Sequence, residues 1–203
     1  MKEMIKNAGI LFAITLIAGL VLGLTHQVTK DTILQRLDAD KKAAFFEVFA
    51  DAANFTENTD FMTEDNRKAL DMAGYDKESI NEQWVAVDAD GNPLGYVFKV
   101  TTKEGYGGDI SFAVGIRNDG TVNGISILEI NETAGLGMNA EKVLKPQFAN
   151  KSVKSFAYTK TGAVAENEVD AISGATITTN AFVKGVNCAL TYFYDVIGGG
   201  SVE

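Results

Sequence analysis

The chain has 203 residues and 46% hydrophobic content, enough for one compact domain with an appendage but hardly for two full domains. Its 27 acidic residues outnumber the 18 basic ones, for a net charge of −9, and no basic cluster extends beyond Lys41-Lys42 and Arg67-Lys68, which argues against nucleic-acid binding. A single Cys and a single His exclude an internal disulfide and any His/Cys cluster of the kind that holds zinc or an iron–sulfur centre, so no metal site is expected.

Residues Ala8 to Thr25 form an uninterrupted uncharged run, close to the roughly 20 helical residues that cross a bilayer. No Ala-x-Ala site follows, so the run reads as a retained single-pass anchor rather than a cleaved signal peptide. Lys2 and Lys6 precede it, whereas His26 and Lys30 follow beside Asp31; this bias predicts a cytoplasmic N-terminus and an extracytoplasmic soluble part. Gly19 and Gly23 have the spacing of a close helix-packing notch, although glycine is also simply common in membrane helices.

From Lys30 to Asp51, apolar residues at Ile33, Leu34, Leu37, Ala44, Phe45, Val48 and Phe49 predict one or two amphipathic helices that dock the domain. A polar stretch follows, with a short helix around Arg67 to Met72. Strands are expected at Trp84 to Asp88 and Leu94 to Thr101 around Asp-Gly-Asn-Pro, and at Ile110 to Arg117 and Val122 to Ile130 around Asn-Asp-Gly, as two successive hairpins of an antiparallel meander. Alternation of Ile110, Phe112, Val114 and Ile116 predicts one buried face. Asp88-x-Asp90-Gly91-Asn92 reads as a hairpin turn and not a calcium loop, because Lys99 stands at the twelfth position. A helix from about Asn139 to Asn150 and a short strand around Ser155 to Tyr158 complete the pattern before a long C-terminal helix. The class is α+β, with a twisted antiparallel sheet flanked by helices. The expected divisions are a tail and anchor at 1–29, a helical docking segment at 30–83, the main domain at 84–197 and a flexible end at 198–203.

The segment Asp170-Ala171-Ile172-Ser173-Gly174-Ala175-Thr176 carries the chemistry. It stands where a small-residue turn hands over to a helix whose apolar residues are Phe182, Val183, Val186, Leu190 and Phe193. Ser173 is the expected N-cap and Thr176 falls in the first turn, where free N–H groups and the positive end of the helix dipole favour an anion. Gly174 and Ala175 leave space for a ligand to approach the backbone. No Ser/His/Asp arrangement for nucleophilic hydrolysis is present, since the sole His26 follows the apolar run.

The Asp-x-x-Ser-Gly-Ala-Thr pattern closely resembles the site at which a flavin transferase esterifies FMN, through its phosphate, onto the final Thr. The chain thereby resembles the FMN-binding domain of the RnfG/NqrC family, found in the RnfG subunit of the Rnf ferredoxin:NAD oxidoreductase and in the NqrC subunit of the sodium-pumping NADH:quinone reductase. Two further segments are similar to that family: Glu132-Thr133-Ala134-Gly135-Leu136-Gly137, where the usual pattern has Pro in place of Ala134, and Gly105-Tyr106-Gly107-Gly108. The resemblance implies one covalent FMN on Thr176. It further implies that Ser173, Gly174, Ala175, Glu132, Thr133, Leu136 and Gly137 meet the cofactor. Asp170 either holds the turn through backbone N–H groups or serves the transferase, because a carboxylate is poorly suited to touching phosphate. The implied role is that of a membrane-anchored electron-transfer subunit, not an independent catalyst. Its partners would be other membrane and iron–sulfur subunits, in a complex that couples ferredoxin:NAD electron transfer to Na⁺ or H⁺ translocation. The alternatives are the NqrC subunit of the quinone reductase and a non-catalytic membrane-anchored assembly module.

Overall fold

The computed structural model describes residues 1–199, so residues 200–203 of the expected flexible end lie outside the described residues. A first compact unit runs over Met1–Lys42 and a second begins at Ala43. Helix α1 spans Lys2–Val48 without interruption. Among the described residues it is the one helix long and apolar enough to cross a membrane, and its apolar window is wholly exposed. The hydroxyls of Thr15, Thr25 and Thr29 donate to the carbonyls of Leu11, Val21 and Thr25, at 3.1, 2.8 and 2.8 Å. These bonds satisfy polar side chains that an apolar solvent would otherwise penalise.

Separate amphipathic helices do not form after the apolar run. No Gly or Pro stands between Thr25 and Val48, so nothing in the backbone stops α1 there. Ile33, Leu34 and Leu37 remain exposed, while Ala44, Phe45, Val48 and Phe49 are buried in the second unit. The segment 30–83 is also not helical throughout, since strands occupy 54–58 and 78–83.

The sheet is a five-stranded antiparallel meander of β1 (Asn54–Asn58), β2 (Glu78–Val87), β3 (Pro93–Thr102), β4 (Ile110–Arg117) and β5 (Val122–Glu129), in sequence order across the sheet. Strand β1 escapes a periodicity reading because Asn-Phe-Thr-Glu-Asn holds one apolar residue; its pairing along β2 is what makes it a strand. Helix α2 (Glu64–Met72) lies between them, with the Thr63 hydroxyl accepting the N–H of Asn66 at 3.2 Å as its N-cap.

One sheet face packs on helix α4 (Thr176–Tyr192), with Phe112 and Phe182 ring centroids 4.9 Å apart. The helix can approach because Gly185 has no side chain: a Cβ there would come within 2.6 Å of the Phe112 ring. The other face is covered as well, so β4 is buried on both sides rather than one. Phe45, Val48 and Phe49 pack there with Ala86, Val97 and Ala113. A Cβ on Gly115 would stand 2.9 Å from Val48 Cβ, and one on Gly95 would stand 2.8 Å from Phe49 Cζ. Glycine in these strands is the cost of close packing on the second face.

After β5 the predicted helix over 139–150 is broken. A 3₁₀ turn at Gly137–Asn139 leads into the single-turn α3 (Ala140–Val143) and a second 3₁₀ turn at Lys145–Phe148. Pro146 lacks the N–H that a continuing helix needs and disfavours helical geometry in the residue before it. Strands β6 (Ala157–Thr159) and β7 (Glu168–Asp170) pair in parallel, and β7 delivers the chain to α4.

Candidate functional site

The start of α4 is built by a turn in which the Ala175 N–H donates to the Ile172 carbonyl at 3.0 Å and Gly174 takes φ +75°, a left-handed conformation that favours glycine. Ser173 is exposed and does not cap; Ala175 holds the N-cap position without a side-chain hydrogen bond. The turn before the helix is closed instead by Thr179, one turn inside. Its hydroxyl donates to the Ala175 carbonyl at 3.0 Å and accepts the Ile172 N–H at 3.1 Å. The turn is thus fixed from within, and the first-turn N–H groups keep their outward aim.

Thr176 opens onto a cavity of about 480 Å³. Three sequence-distant segments meet there: Tyr106, then Glu132, Thr133, Leu136 and Gly137, then Gly174 to Thr178. The Glu132 carboxylate joins the first two, since Oε1 accepts the N–H of Tyr106 at 2.7 Å and of Gly107 at 3.2 Å. Close approach demands glycine on both sides. A Cβ on Gly105 would lie 2.1 Å from the Gly108 carbonyl oxygen, and one on Gly107 would lie 2.1 Å from that of Asn131. The turn after Glu132 closes through Leu136 and Met138 N–H groups on the Thr133 carbonyl, with Gly135 at φ +78°.

Glu132, Thr133, Leu136, Gly137, Gly174, Ala175 and Thr176 therefore line one cavity. Asp170 does not join them. Its carboxylate accepts the Ala163 N–H at 2.7 Å, and its backbone is bracketed by the Gln147 amide, so it organises the β6–β7 connection. Ile177 and Thr178 line the cavity without having been singled out from the sequence, and Tyr106 joins them from the family-like segment in which it had no assigned role. The glycines around Tyr106 signal a tight approach, whereas only the structure shows Thr178 buried at the cavity wall.

On its other side Thr176 borders a second cleft of about 690 Å³, with Lys77, Lys103, Glu104, Tyr158 and Asn180. Glu104 bonds Lys184 at 2.9 Å and lies 3.4 Å from Lys77; the Lys184 hydrogen bond is the main reason its carboxyl sits below the usual range. Behind it Glu78 is fully buried, with Oε1 accepting from the Thr102 hydroxyl at 3.0 Å, and burial pushes its carboxyl above the usual range. Cys188 is buried and its thiol is pushed up to about 12, chiefly by burial, which leaves it unreactive. Among the described residues no cluster of three or more His, Cys, Asp or Glu side chains could hold a metal ion.

The first cavity suits a ligand with a flat apolar part and an anionic end. Exposed Tyr106, Leu136 and Ile177 offer apolar surface, Glu132 and Thr178 offer two polar atoms, and the α4 start offers an anion site. A phosphate-bearing aromatic cofactor such as FMN fits that donor set.

Comparison with known proteins defines the class: residues 105–191 match the FMN-binding domain, and residues 1–48 match the RnfG N-terminal region. The chain is 34% identical over 198 residues to the G subunit of the Na(+)-translocating ferredoxin:NAD(+) oxidoreductase complex of Acetobacterium woodii, covering 96% of this chain and 94% of that protein. It is 30% identical over 193 residues to the G subunit of the ion-translocating oxidoreductase complex of Methanosarcina acetivorans, covering 94% and 95%. The chain belongs to the RnfG family of ion-translocating oxidoreductase complexes, and is an FMN-binding flavoprotein of electron transport. The crystal structure of the C subunit of the Na(+)-translocating NADH-quinone reductase from Parabacteroides distasonis shares the fold, at TM-score 0.50 and 20% identity over 74% of this chain and 80% of that one.

Proposed function

We propose that this protein carries a single FMN, joined through its phosphate to Thr176 Oγ1, with the flavin ring in the cavity between Tyr106, Glu132, Leu136 and Ile177. The observation that carries the reading is the placement of Thr176: it is the first residue of α4, beside uncapped N–H groups, at the wall of a cavity large enough for the ring. FMN supplies the redox chemistry when bound. The residues of this chain hold it, exclude water from part of it and tune it through hydrogen bonds. A flavin transferase makes the ester during maturation. Asp170 contributes by fixing the β6–β7 connection that precedes the attachment turn.

The functional setting is electron relay within an Rnf-type complex that couples ferredoxin:NAD electron transfer to Na⁺ or H⁺ movement, alongside membrane and iron–sulfur subunits. Residues 1–29 are the tail and anchor in the cell's inner membrane, with Lys2 and Lys6 on the cytoplasmic side and the FMN-binding domain outside. Support comes from the relatives' names and from the apolar part of α1. The test is the complex assembled with Thr176→Val. Lost ferredoxin:NAD activity with intact assembly is expected, whereas full activity contradicts the reading and an unassembled complex points to an assembly module.

A further inference from the structure

Thr178 is 1% exposed and lines the cavity, yet its hydroxyl makes no hydrogen bond among the described residues. Its neighbour Thr179 shows the contrast, with both donor and acceptor used inside the turn. Among the described residues the fully buried side-chain atoms without a partner are Glu78 Oε2 and Gln83 Oε1, so Thr178 Oγ1 is open to the cavity, where a ligand can take up its hydrogen bond. The Glu132 carboxylate is half-buried: Oε1 is used by the Tyr106 and Gly107 N–H groups, and Oε2 has no partner among the described residues.

The two free atoms converge over Gly137. A Cβ on that glycine would lie 2.7 Å from Thr178 Oγ1 and 2.8 Å from Glu132 Oε2, so the missing side chain is what keeps both open. The pair presents a hydroxyl, able to donate, beside a carboxylate oxygen, able only to accept. Its complement is a group with a carbonyl next to an N–H. The isoalloxazine ring has one edge of that chemistry, its pyrimidine edge, while its dimethylbenzene edge is apolar.

We propose that Thr178 Oγ1 donates to a pyrimidine-edge carbonyl of the bound flavin while Glu132 Oε2 accepts the adjacent ring N–H, which turns the apolar edge toward exposed Tyr106, Leu136 and Ile177. This inference rests on the reading that FMN occupies the cavity. Thr178 stands two residues after the tether on the same helix, so it lines the same cavity as the attachment point. Reduction adds electron density to that edge, and a donor there stabilises the reduced flavin more than the oxidised one. Thr178 is thus a tuning and specificity residue that touches the cofactor.

The experiment uses the full chain in detergent, loaded by a flavin transferase, as wild type and as Thr178→Val, Thr178→Ala and Thr178→Ser. Midpoint potential is read by spectroelectrochemical titration, together with the visible flavin bands. The expected result is a negative shift of potential and displaced bands in Thr178→Val and Thr178→Ala, with Thr178→Ser restored toward wild type. Unchanged potential and bands in loaded Thr178→Val overturn the inference while leaving FMN in place. Loss of loading in both Val and Ala variants, with circular dichroism intact, also overturns it and makes Thr178 a maturation residue. A wild-type chain without flavin overturns this inference and the FMN reading together.

Discussion

The Glu132 carboxylate accepts the backbone N–H of Tyr106 at 2.7 Å, and through this bond the β3–β4 connection is tied to the segment that follows β5. The Gly107 N–H, at 3.2 Å on the same oxygen, makes the bond two-pronged. Hydrogen bonds to a charged acceptor contribute more than neutral ones, about 1.5–3 kcal/mol each at most. Glu132→Ala should therefore release Tyr106 from the cavity wall. Hydrogen exchange followed by mass spectrometry should show faster exchange at residues 105–108, with the sheet core unaffected; unchanged exchange there would mean the carboxylate does not hold the segment.

The face of the sheet opposite α4 depends on two phenylalanines of neighbouring chain segments. Phe45 ends up in α1 and Phe49 just beyond it, both fully buried. Phe49→Ala leaves a cavity over Gly95 and Gly115, and such truncations cost about 3–5 kcal/mol. Denaturant unfolding of the purified protein should show this loss. A cost below about 1 kcal/mol would mean that the α1 end contributes little to the domain.

Tolerance to added volume should be equally poor where α4 crosses the sheet. Gly185→Ala places a methyl within 2.6 Å of the Phe112 ring, whose neighbour Phe182 leaves it little room to move. Overpacking of this kind costs about 1–3 kcal/mol, although Ala is the better helix former. A thermal melt at or above the wild-type midpoint would contradict the close crossing.

Much of this domain can be read from the chain itself, because β3, β4 and β5 alternate or cluster apolar residues between recognisable turns. What escapes is structure imposed by partners. Strand β1 has a single apolar residue and owes its form to β2. The second buried face of β4 shows in sequence only as Ala113 and Gly115, small residues whose meaning depends on Phe49 and Val48 arriving from far away. At the site, the ordered motifs locate Thr176, Glu132 and Gly137. Ser173 looks like a cap until Thr179 is seen to close the turn, and the backbone N–H that the Asp170 carboxylate accepts, that of Ala163, is visible only in the fold.

Glu78 should make stability fall with rising pH. Its folded carboxyl titrates above the ordinary value of 4.5 because it is buried, so between the two values the unfolded chain ionises while the folded chain keeps its proton. Stability is full below about pH 4.5 on this account and declines as pH rises toward the raised folded value. Glu78→Gln removes the titration and can still accept from Thr102. Its stability relative to wild type should grow between pH 4 and pH 8; an advantage independent of pH would show that the Glu78 environment does not oppose ionisation.

The attachment of FMN to Thr176 is the claim on which the rest turns, and intact mass together with in-gel flavin fluorescence of the denatured protein tests it most directly. Wild type and Thr176→Val are each produced with a flavin transferase. A fluorescent band with the added mass of one esterified FMN in wild type alone is the predicted result. No adduct in wild type, or an equal adduct in Thr176→Val, would contradict it.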